Sequence, residues 1–581
     1  MLSANLSSRA FSGCGSMSAS TIRQLNTFTQ RQALCPSLNN TATHDGFSEQ
    51  KIVQSGEVSQ RSYSSSTATT SEDLSLTSTD NKRFSHTAAQ ALPKSLPAMS
   101  VTSWISDVAS RTMRQHLSDI TVHRSKRMLL DTLGVGVLGA DTEISRQFTR
   151  ATFMLGQGGG AKQSEGGAGK RGCRVGGTGA VLWGSRSTRA SPVTAAYLNG
   201  VSVHSMDMDD TWHPATHPSG PTLPAVLALA ETLQHDSAGS VGVSLEDVLV
   251  AYNVGIQVQG LLLRSAKSAC NIPSRFHPPA VVGVMGSAAA CANLMGLGPA
   301  KCRAALGIAA SNAGAPMANA GTTTKPLHAG KAARAGLEAA FLADQGIEGN
   351  PNILDMPSGF GAFYEDFDPE ALLAENASNS EFLLHHQDIA LKRFPAHLGM
   401  HWTIDAAMSV RANLAEDASV PLDLTNINKI LIRAPPSKYI NRPLPASEHE
   451  ARHSFQFNAC TALLDGQVIP ASYHDSARTR PELLNLLSKT EIETPEDNHA
   501  SFNEMYVEVC LFLKDGSEVK GRCDTPYGHW RNPLSDADVV RKFERNTAVL
   551  PHQSRQEIVR LVQDMSPKVK ATELTQLLHA Y

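Results

Sequence analysis

The sequence predicts a mainly α-helical protein with a smaller α+β part towards its carboxyl end. Apolar residues recur at helical spacing through most of residues 101–385. Alternation of apolar and polar residues, which favours β-strands, comes later, at 429–434 and 506–522. A helical pattern returns from Asp536. In chain order we expect a large all-helical domain, an α+β domain and C-terminal helices that rejoin the helical domain: 101–386, 387–524 and 525–581.

Composition fits a globular protein with a sizeable core. The 581 residues are 41% hydrophobic and carry a formal net charge of −3. Without a basic excess, no nucleic-acid partner is predicted. No apolar run is long enough to predict stable membrane insertion. The nine cysteines are scattered without a Cys-x-x-Cys pair, which favours a reducing compartment over a disulfide framework or a zinc ribbon.

The first 100 residues are typical of a targeting segment. Residues 1–44 contain no acidic residue, carry Arg9, Arg23 and Arg31, and are rich in serine and threonine. This composition is typical of a mitochondrial transit peptide, so we expect a mitochondrial location. Residues 45–100 remain Ser/Thr-rich and poor in large apolar residues, which predicts disorder. A merely disordered tail is the alternative.

Helices are predicted at 104–117 and 125–138, and at 223–233 with Pro224 in the first turn. Ser244 and Asp247 resemble a capping box, which predicts the start of another helix. The runs at 288–297, 300–310 and 330–344 are rich in alanine and glycine, and such small residues let helices approach closely.

A Gly-rich run at 158–179 invites comparison with a phosphate-binding loop. The pattern fails, because Ser164 stands where the first glycine belongs and Arg171 where Ser or Thr belongs. We expect a flexible surface insertion instead.

The strand-like segments lie in the second half of the chain. Residues 429–434 alternate as a strand does. Residues 506–513, the turn 514–517 and residues 518–522 together predict a β-hairpin.

The stretch His204–Gly220 gathers three aspartates, three histidines and two prolines. The carboxylates at 207–210 resemble the proton-donating acid of class II terpene cyclases. They could also bind a divalent metal, or form an exposed acidic turn. The residues alone leave all three interpretations open.

Residues His449–His453 match the zinc-protease signature His-Glu-x-x-His. A zinc site needs a third protein ligand, and the next glutamate after the motif is Glu482. We therefore favour a charged amphipathic helix with Phe455, Ala459 and Leu463 on its other face.

Three other segments place cations and histidines on turns. They contain His277 between Phe276 and Pro278, Lys325 before a Gly/Ala-rich helix, and Lys392 close to His397. Such groups bind carboxylates through charge-assisted hydrogen bonds. Histidines titrate near neutral pH and can also transfer a proton. A small-molecule substrate with several carboxylates is therefore predicted.

In this order the segments resemble the MmgE/PrpD family. The motifs that carry the resemblance are Leu130–Gly134, Trp183–Gly184, Ala196–Gly200, His204–Gly220, Arg275–His277, Lys325–Gly330 and Lys392–Pro395. Residues 209–220 and 392–402 are similar to the animal branch that converts cis-aconitate into itaconate. The resemblance covers about residues 101–565. It implies a homodimer with a large helical domain, a smaller α+β lid domain, and a site between them with no metal and no organic cofactor.

The resemblance also implies which residues form the site. Family active-site positions fall on Asp207, Thr211, His217, His277, Met317, Lys325, Lys392, His397 and Tyr439. We expect Lys325, Lys392, His277 and Thr211 to anchor carboxylates, and His217 or His397 to deliver a proton. Asp207 is expected to orient or charge a histidine, while Asp209 and Asp210 hold the loop.

The expected reaction is cofactor-free decarboxylation of cis-aconitate with protonation at the other end of an allylic system. Two alternatives remain at this point. One is a dehydratase acting on 2-methylcitrate or a similar hydroxy-tricarboxylate, and the other is a non-catalytic family member that binds tricarboxylates.

Overall fold

The computed structural model of the protein describes nine stretches of the chain: 100–156, 179–212, 216–236, 242–265, 275–363, 367–376, 381–414, 424–436 and 441–580. The predicted transit and disordered region up to residue 99 lies outside the described residues. So does the predicted Gly-rich insertion, apart from Gly179. The rest of the chain is mostly helical, as the sequence predicts.

The amino-terminal two thirds of the described chain is built from helices and one short β-ribbon. The helices are α1 (Val101–Arg111), α2 (Asp119–Ala140), α3 (Glu143–Met154), α4 (Pro192–His204), α5 (Ser219–Asp236), α6 (Leu245–Arg264), α7 (Pro278–Leu294), α8 (Pro299–Ala310), α9 (Lys325–Asp344), α10 (Pro369–Asn376) and α11 (Leu383–His386). The ribbon is β1 (Ala180–Val181) paired antiparallel with β2 (Arg189–Ala190). Single 3₁₀ turns lie at Arg114–His116, Met317–Gly321 and Phe360–Phe363.

The remaining part combines helices with a four-stranded sheet. Its helices are α12 (Gly399–Leu414), α13 (Glu448–Ala451), α14 (Phe455–Asp465), α15 (Asp475–Arg478), α16 (Pro481–Ser488), α17 (Asp536–Asn546), α18 (His552–Asp564) and α19 (Ala571–Gln576). Its strands are β3 (Ile427–Arg433), β4 (Thr490–Glu493), β5 (Val507–Leu513) and β6 (Glu518–Cys523). Two more 3₁₀ turns lie at Leu424–Asn426 and Pro470–Tyr473.

Helix starts follow local capping chemistry. The hydroxyl of Ser118 accepts a hydrogen bond from the backbone amide of Thr121 at the start of α2, which satisfies one of the helix's unpaired amides. Ser244 and Asp247 form the predicted capping box at the start of α6. The helix predicted at 223–233 begins earlier, at Ser219, so Pro224 lies inside α5 and not in its first turn. That expectation was wrong by one turn.

Small residues set the spacing between the central helices, as predicted. A Cβ atom added at Gly330 of α9 would lie 2.5 Å from the carbonyl oxygen of Tyr197 in α4. One added at Gly200 of α4 would lie 2.9 Å from the Cα of Gly330. Contact this close excludes any side chain, so α4 and α9 pack backbone to backbone.

The sheet has the strand order β4-β3-β5-β6. The predicted hairpin is present, since β5 and β6 pair antiparallel around the turn at 514–517. The predicted strand at 429–434 is β3, which pairs antiparallel with β5 and parallel with β4. The sequence did not predict β4, because half of its four residues are exposed glutamates.

The chain passes between two large hydrophobic clusters near residue 390. Side chains from α1, α2 and α5–α9 share the first cluster with C-terminal residues such as Phe543, Ile558 and Leu561. Side chains of α12, α14 and the sheet form the second. Thr211 and Ala390 pair through two backbone hydrogen bonds of 2.9 and 3.0 Å where the chain passes from one to the other. Among the described helices, none is long and apolar enough to cross a membrane.

Candidate active site

A buried carboxylate with two lysines lies where the two clusters meet. Helix α4 ends at His204, and the chain then turns through Asp207, whose φ of 53° is in the left-handed region that few residues other than glycine adopt. Asp207 Oδ2 accepts a hydrogen bond from Lys325 Nζ at 2.7 Å, and Oδ1 accepts one from Lys392 Nζ at 2.5 Å. We call these three residues the carboxylate–lysine group.

The two lysines come from different parts of the chain. Lys325 is the first residue of α9, and Lys392 lies in the segment that enters the second cluster. Lys392 Nζ also donates to the backbone oxygen of Asp207 at 3.0 Å. Burial alone would raise the pKa of Asp207, but Lys325 and Lys392 outweigh it and hold that pKa well below its usual value. Asp207 is therefore an ionised carboxylate.

Asp209 pairs with histidines. His204 Nδ1 lies 2.7 Å from Asp209 Oδ2, and His217 Nδ1 lies 3.7 Å from the same oxygen. Both Asp209 and His204 are buried. Burial opposes ionisation of Asp209, yet His204 and His217 lower its pKa below the usual value. Asp209 thus makes a closer contact with a histidine than Asp207, which binds two lysines and lies 3.5 Å from His453.

Asp210 is the third buried carboxyl and behaves differently. It is hydrogen-bonded to the hydroxyl of Ser219, which in turn contacts the Tyr252 hydroxyl. Burial without a cationic partner raises the pKa of Asp210 to about 8, so the group is protonated at neutral pH. All three aspartates are buried, which rules out the exposed acidic turn considered above.

His217 lies directly after the loop and contacts it twice. Its Nδ1 is 2.8 Å from the carbonyl oxygen of Asp210 and 3.3 Å from the Thr211 hydroxyl. A carbonyl oxygen can only accept, so Nδ1 carries the proton and Nε2 keeps a lone pair in the neutral ring. Burial lowers the pKa of His217 well below its usual value.

His277 precedes α7 and packs against His328 of α9, with 3.0 Å between their Nδ1 atoms. Its backbone amide donates to the Ala315 carbonyl at 3.0 Å. The backbone amide of Met317 donates to the Arg275 carbonyl at 2.8 Å, so this pairing places Met317 on the turn beside His277.

A second set of histidines near Asp207 comes from the part of the chain that contains the four-stranded sheet. His453 Nε2 is 3.5 Å from Asp207 Oδ2, and the ring centroids of His453 and His397 are 5.3 Å apart. The backbone amide of Gly399 donates to His397 Nδ1 at 3.2 Å, so neutral His397 holds its proton on Nε2. Burial lowers the pKa of His397 to about 4.

The structure places most of the predicted site residues close together. Contacts connect Asp207 with Lys325 and Lys392, and His217 with Thr211. Tyr439 lies outside the described residues.

Sequence reasoning missed His204, Asp209 and His453 as members of the site. His453 belongs to the zinc-protease-like signature, but α13 ends at Ala451 and α14 begins at Phe455. The single amphipathic helix expected there was therefore wrong. His453 lies in this break, with its Nε2 3.5 Å from Asp207 Oδ2.

Among the described residues, two groups could hold a metal ion. One is His204, His217 and His277, and the other is the partly exposed set Glu381, His385 and His386. The carboxylates at 207–210 are not among them. Asp207 instead accepts a hydrogen bond from a lysine, and Asp209 is hydrogen-bonded to a histidine.

Comparison with known families decides the identity of the fold. The MmgE/PrpD N-terminal domain matches residues 103–371, and the MmgE/PrpD C-terminal domain matches residues 394–565. The chain belongs to the MmgE/PrpD family. The two family domains meet between residues 371 and 394, close to the Thr211–Ala390 pairing.

Three similar members of the family carry the same enzyme name. The chain is 48% identical to human cis-aconitate decarboxylase, over 80% of this chain and 91% of the human protein. It is 47% identical to the mouse protein of the same name, over 80% and 90%. A cis-aconitate decarboxylase of Aspergillus terreus is 25% identical, over 82% and 96%.

Proposed function

We propose that this protein is a cis-aconitate decarboxylase, a carboxy-lyase that forms itaconate and carbon dioxide. The observation that carries the proposal is the similarity to the human and mouse enzymes, which extends through both family domains. The buried carboxylate–lysine group supports it, because two ammonium groups beside several donor histidines suit a substrate with three carboxylates.

The reaction breaks the bond between a methylene carbon and its carboxylate. Carbon dioxide leaves, and the electron pair spreads over the allylic system to the carbon beside the far carboxylate. A proton delivered to that carbon gives itaconate. Lys325 and Lys392 would stabilise the charge that moves towards the retained carboxylates, because cations placed in advance act strongly in a buried site.

The histidine tautomers suggest separate roles for His217 and His397. Neutral His397 carries its proton on Nε2 and can donate a hydrogen bond to a carboxylate at once. Neutral His217 has a free lone pair at Nε2 and must first be protonated. Binding of a trianion raises the pKa of a nearby histidine, so we assign proton delivery to His217 and carboxylate anchoring to His397, His277 and Thr211.

We also propose the setting in which the protein acts. The acid-free, Ser/Thr-rich composition of residues 1–44 supports a mitochondrial location. Membership of the family supports a homodimer in which the residues around the sheet serve as a lid on the helical domain. The catalytic groups named here are all side chains of the chain itself, and the proposed reaction uses no cofactor.

The test is product analysis by proton NMR with the purified full chain in deuterated water. We expect cis-aconitate to give itaconate with one deuterium in its methylene group. Methylaconitate formed from 2-methylcitrate, without reaction of cis-aconitate, would show a dehydratase instead. Tricarboxylate binding without any turnover would show a non-catalytic member of the family.

A further inference from the structure

Three imidazole rings meet next to the carboxylate–lysine group. The ring centroids of His204 and His217 are 4.7 Å apart, those of His204 and His277 5.6 Å, and those of His217 and His277 6.2 Å. One ring nitrogen of each histidine lies within 4.8 Å of one ring nitrogen of both others. We call these residues the three-histidine group.

Each ring uses its Nδ1 atom to contact a different neighbour. The partners are Asp209 Oδ2 for His204, the Asp210 carbonyl oxygen for His217, and His328 Nδ1 for His277. Histidines that bind metals in proteins show this pattern, because the second nitrogen is held by a carboxylate, a carbonyl or another polar group. Nε2 is the nitrogen that remains in each ring.

The buried ring of His204 provides a second, independent observation. Its side chain is 0% exposed, and its Nε2 has no hydrogen-bond partner within the described part of the chain. Buried polar atoms without partners are rare. The proposed decarboxylation gives His204 no role, so it does not explain why His204 Nε2 is buried without a partner.

We propose that the three-histidine group binds Zn²⁺ through three ring nitrogens, leaving the fourth position of the ion open. Zinc with three protein ligands keeps such a position. Ligand nitrogens lie about 3.4 Å apart around a tetrahedral ion with bonds of 2.0–2.1 Å. The ring nitrogens counted in the 4.8 Å limit, one from each histidine, therefore need to approach each other by at most about 1.4 Å.

Charged side chains near the three-histidine group act on a bound cation in opposite directions. Asp209 supplies a negative charge behind His204. Lys325 and Lys392 oppose a second cation, although Asp207 offsets part of their charge.

Bound zinc would inhibit the enzyme. It would occupy the nitrogen from which His217 delivers a proton and would hold His277 away from a substrate carboxylate. This consequence depends on the proposed decarboxylase function, whereas zinc binding itself does not.

The binding test uses the tag-free full chain without tricarboxylates, which themselves bind zinc. Competition with a coloured chelator should give one tightly bound Zn²⁺ per chain. Co²⁺ should give the strong visible bands of a four-coordinate site. His204→Gln should abolish both signals, and Asp209→Asn should weaken zinc binding about 10- to 100-fold, as loss of a partner behind a ligand does.

His386→Gln is the matched control, because His386 belongs to the other possible metal-binding set. It should bind zinc like the unmodified protein. No binding at one equivalent, a weak six-coordinate cobalt spectrum, or loss of binding in His386→Gln alone would overturn the site. If His204→Gln does not fold, the cobalt spectrum of the unmodified protein decides the question.

Inhibition is measured separately, by turnover of cis-aconitate with free zinc buffered. Turnover should stop as the site fills and return when a chelator is added. Full turnover with one zinc bound would overturn the inhibitory role. Absence of turnover before zinc is added would instead contradict the proposed function, and the zinc titration would remain interpretable.

Discussion

At the scale of single residues, the site depends on which histidine nitrogen carries a proton. His217 Nδ1 donates a hydrogen bond to a backbone carbonyl, whereas His397 Nδ1 accepts a hydrogen bond from a backbone amide. Both histidines are partly buried and have a lowered pKa, yet their different tautomers prepare them for different tasks. Their substitution should affect different kinetic constants.

We predict that His217→Ala lowers kcat about 10²- to 10⁴-fold, the usual contribution of a positioned acid. His397→Ala should mainly raise KM, because it removes a contact made to the bound substrate as well as in the transition state. Steady-state rates of itaconate formation measure both. The exposed His386→Ala is the control. Normal kcat in His217→Ala would reject its assignment.

We predict that Asp207→Asn destabilises the protein by about 3–5 kcal/mol, because it leaves two buried lysines without their carboxylate. Asparagine tolerates the left-handed backbone at this position, so the change reports the lost charge. Urea denaturation followed by circular dichroism measures it. Asp524→Asn, at an exposed ion pair with Arg522, should cost less than about 1 kcal/mol.

At the scale of elements, the contact between α4 and α9 positions two parts of the site. His204 ends α4, and Lys325 begins α9. The backbones touch at Gly200 and Gly330, where no Cβ atom fits. A shift between these helices would therefore move Lys325 relative to the turn that holds Asp207.

We predict that Gly330→Ala costs about 1–3 kcal/mol in stability and weakens tricarboxylate binding, although alanine favours helices more than glycine does. The added methyl group would meet the Tyr197 carbonyl at 2.5 Å. Thermal denaturation and calorimetric titration with cis-aconitate measure the two effects. Gly321→Ala, where nothing lies within 4 Å, should change neither. An unchanged Gly330→Ala would show that α9 shifts freely.

Comparison with the sequence shows which elements local patterns could predict. Periodicity and capping residues predicted α2, α6 and the β5–β6 hairpin, because those signals lie within each element. The break between α13 and α14 could not be predicted. The arginine between them is held by contacts distant in the chain, such as that of Arg452 with the Pro395 carbonyl at 2.7 Å.

The residues of the site could be predicted only where they fall within motifs that the chain shares with the family. Resemblance pointed to Lys325 and Lys392, but not to Asp207 as the carboxylate that binds both. His453 was missed because it is separated from Asp207 by 246 positions (453 − 207) in the chain, so no local pattern reveals the contact.

At the scale of the whole molecule, the C-terminal helix α17 contacts the loop that holds Asp207. Lys542 of α17 forms a 2.6 Å ion pair with Asp131 of α2, and both side chains are buried. Lys542 Nζ also donates to the carbonyl oxygen of Met208 at 3.2 Å. The C-terminal helices thus connect the first helices of the fold to the residue that follows Asp207.

We predict that Lys542→Met costs about 3–5 kcal/mol, because it leaves Asp131 buried without a cation. The double variant Lys542→Met/Asp131→Leu should recover much of that loss, since an apolar pair needs no desolvation of charge. Thermal denaturation compares the two. Arg560→Met, at an exposed pair with Glu557, is the control. A double variant no more stable than the single one would contradict the prediction.

The carboxylate–lysine group also determines what the empty enzyme must do when substrate arrives. With Asp207 between them, Lys325 and Lys392 are already neutralised in part and need no anion from the medium to remain together. A tricarboxylate must therefore take hydrogen bonds away from an internal competitor. The measured affinity would then report an exchange of hydrogen-bond partners. We expect molecules with a single carboxylate to gain less from this exchange and to bind more weakly.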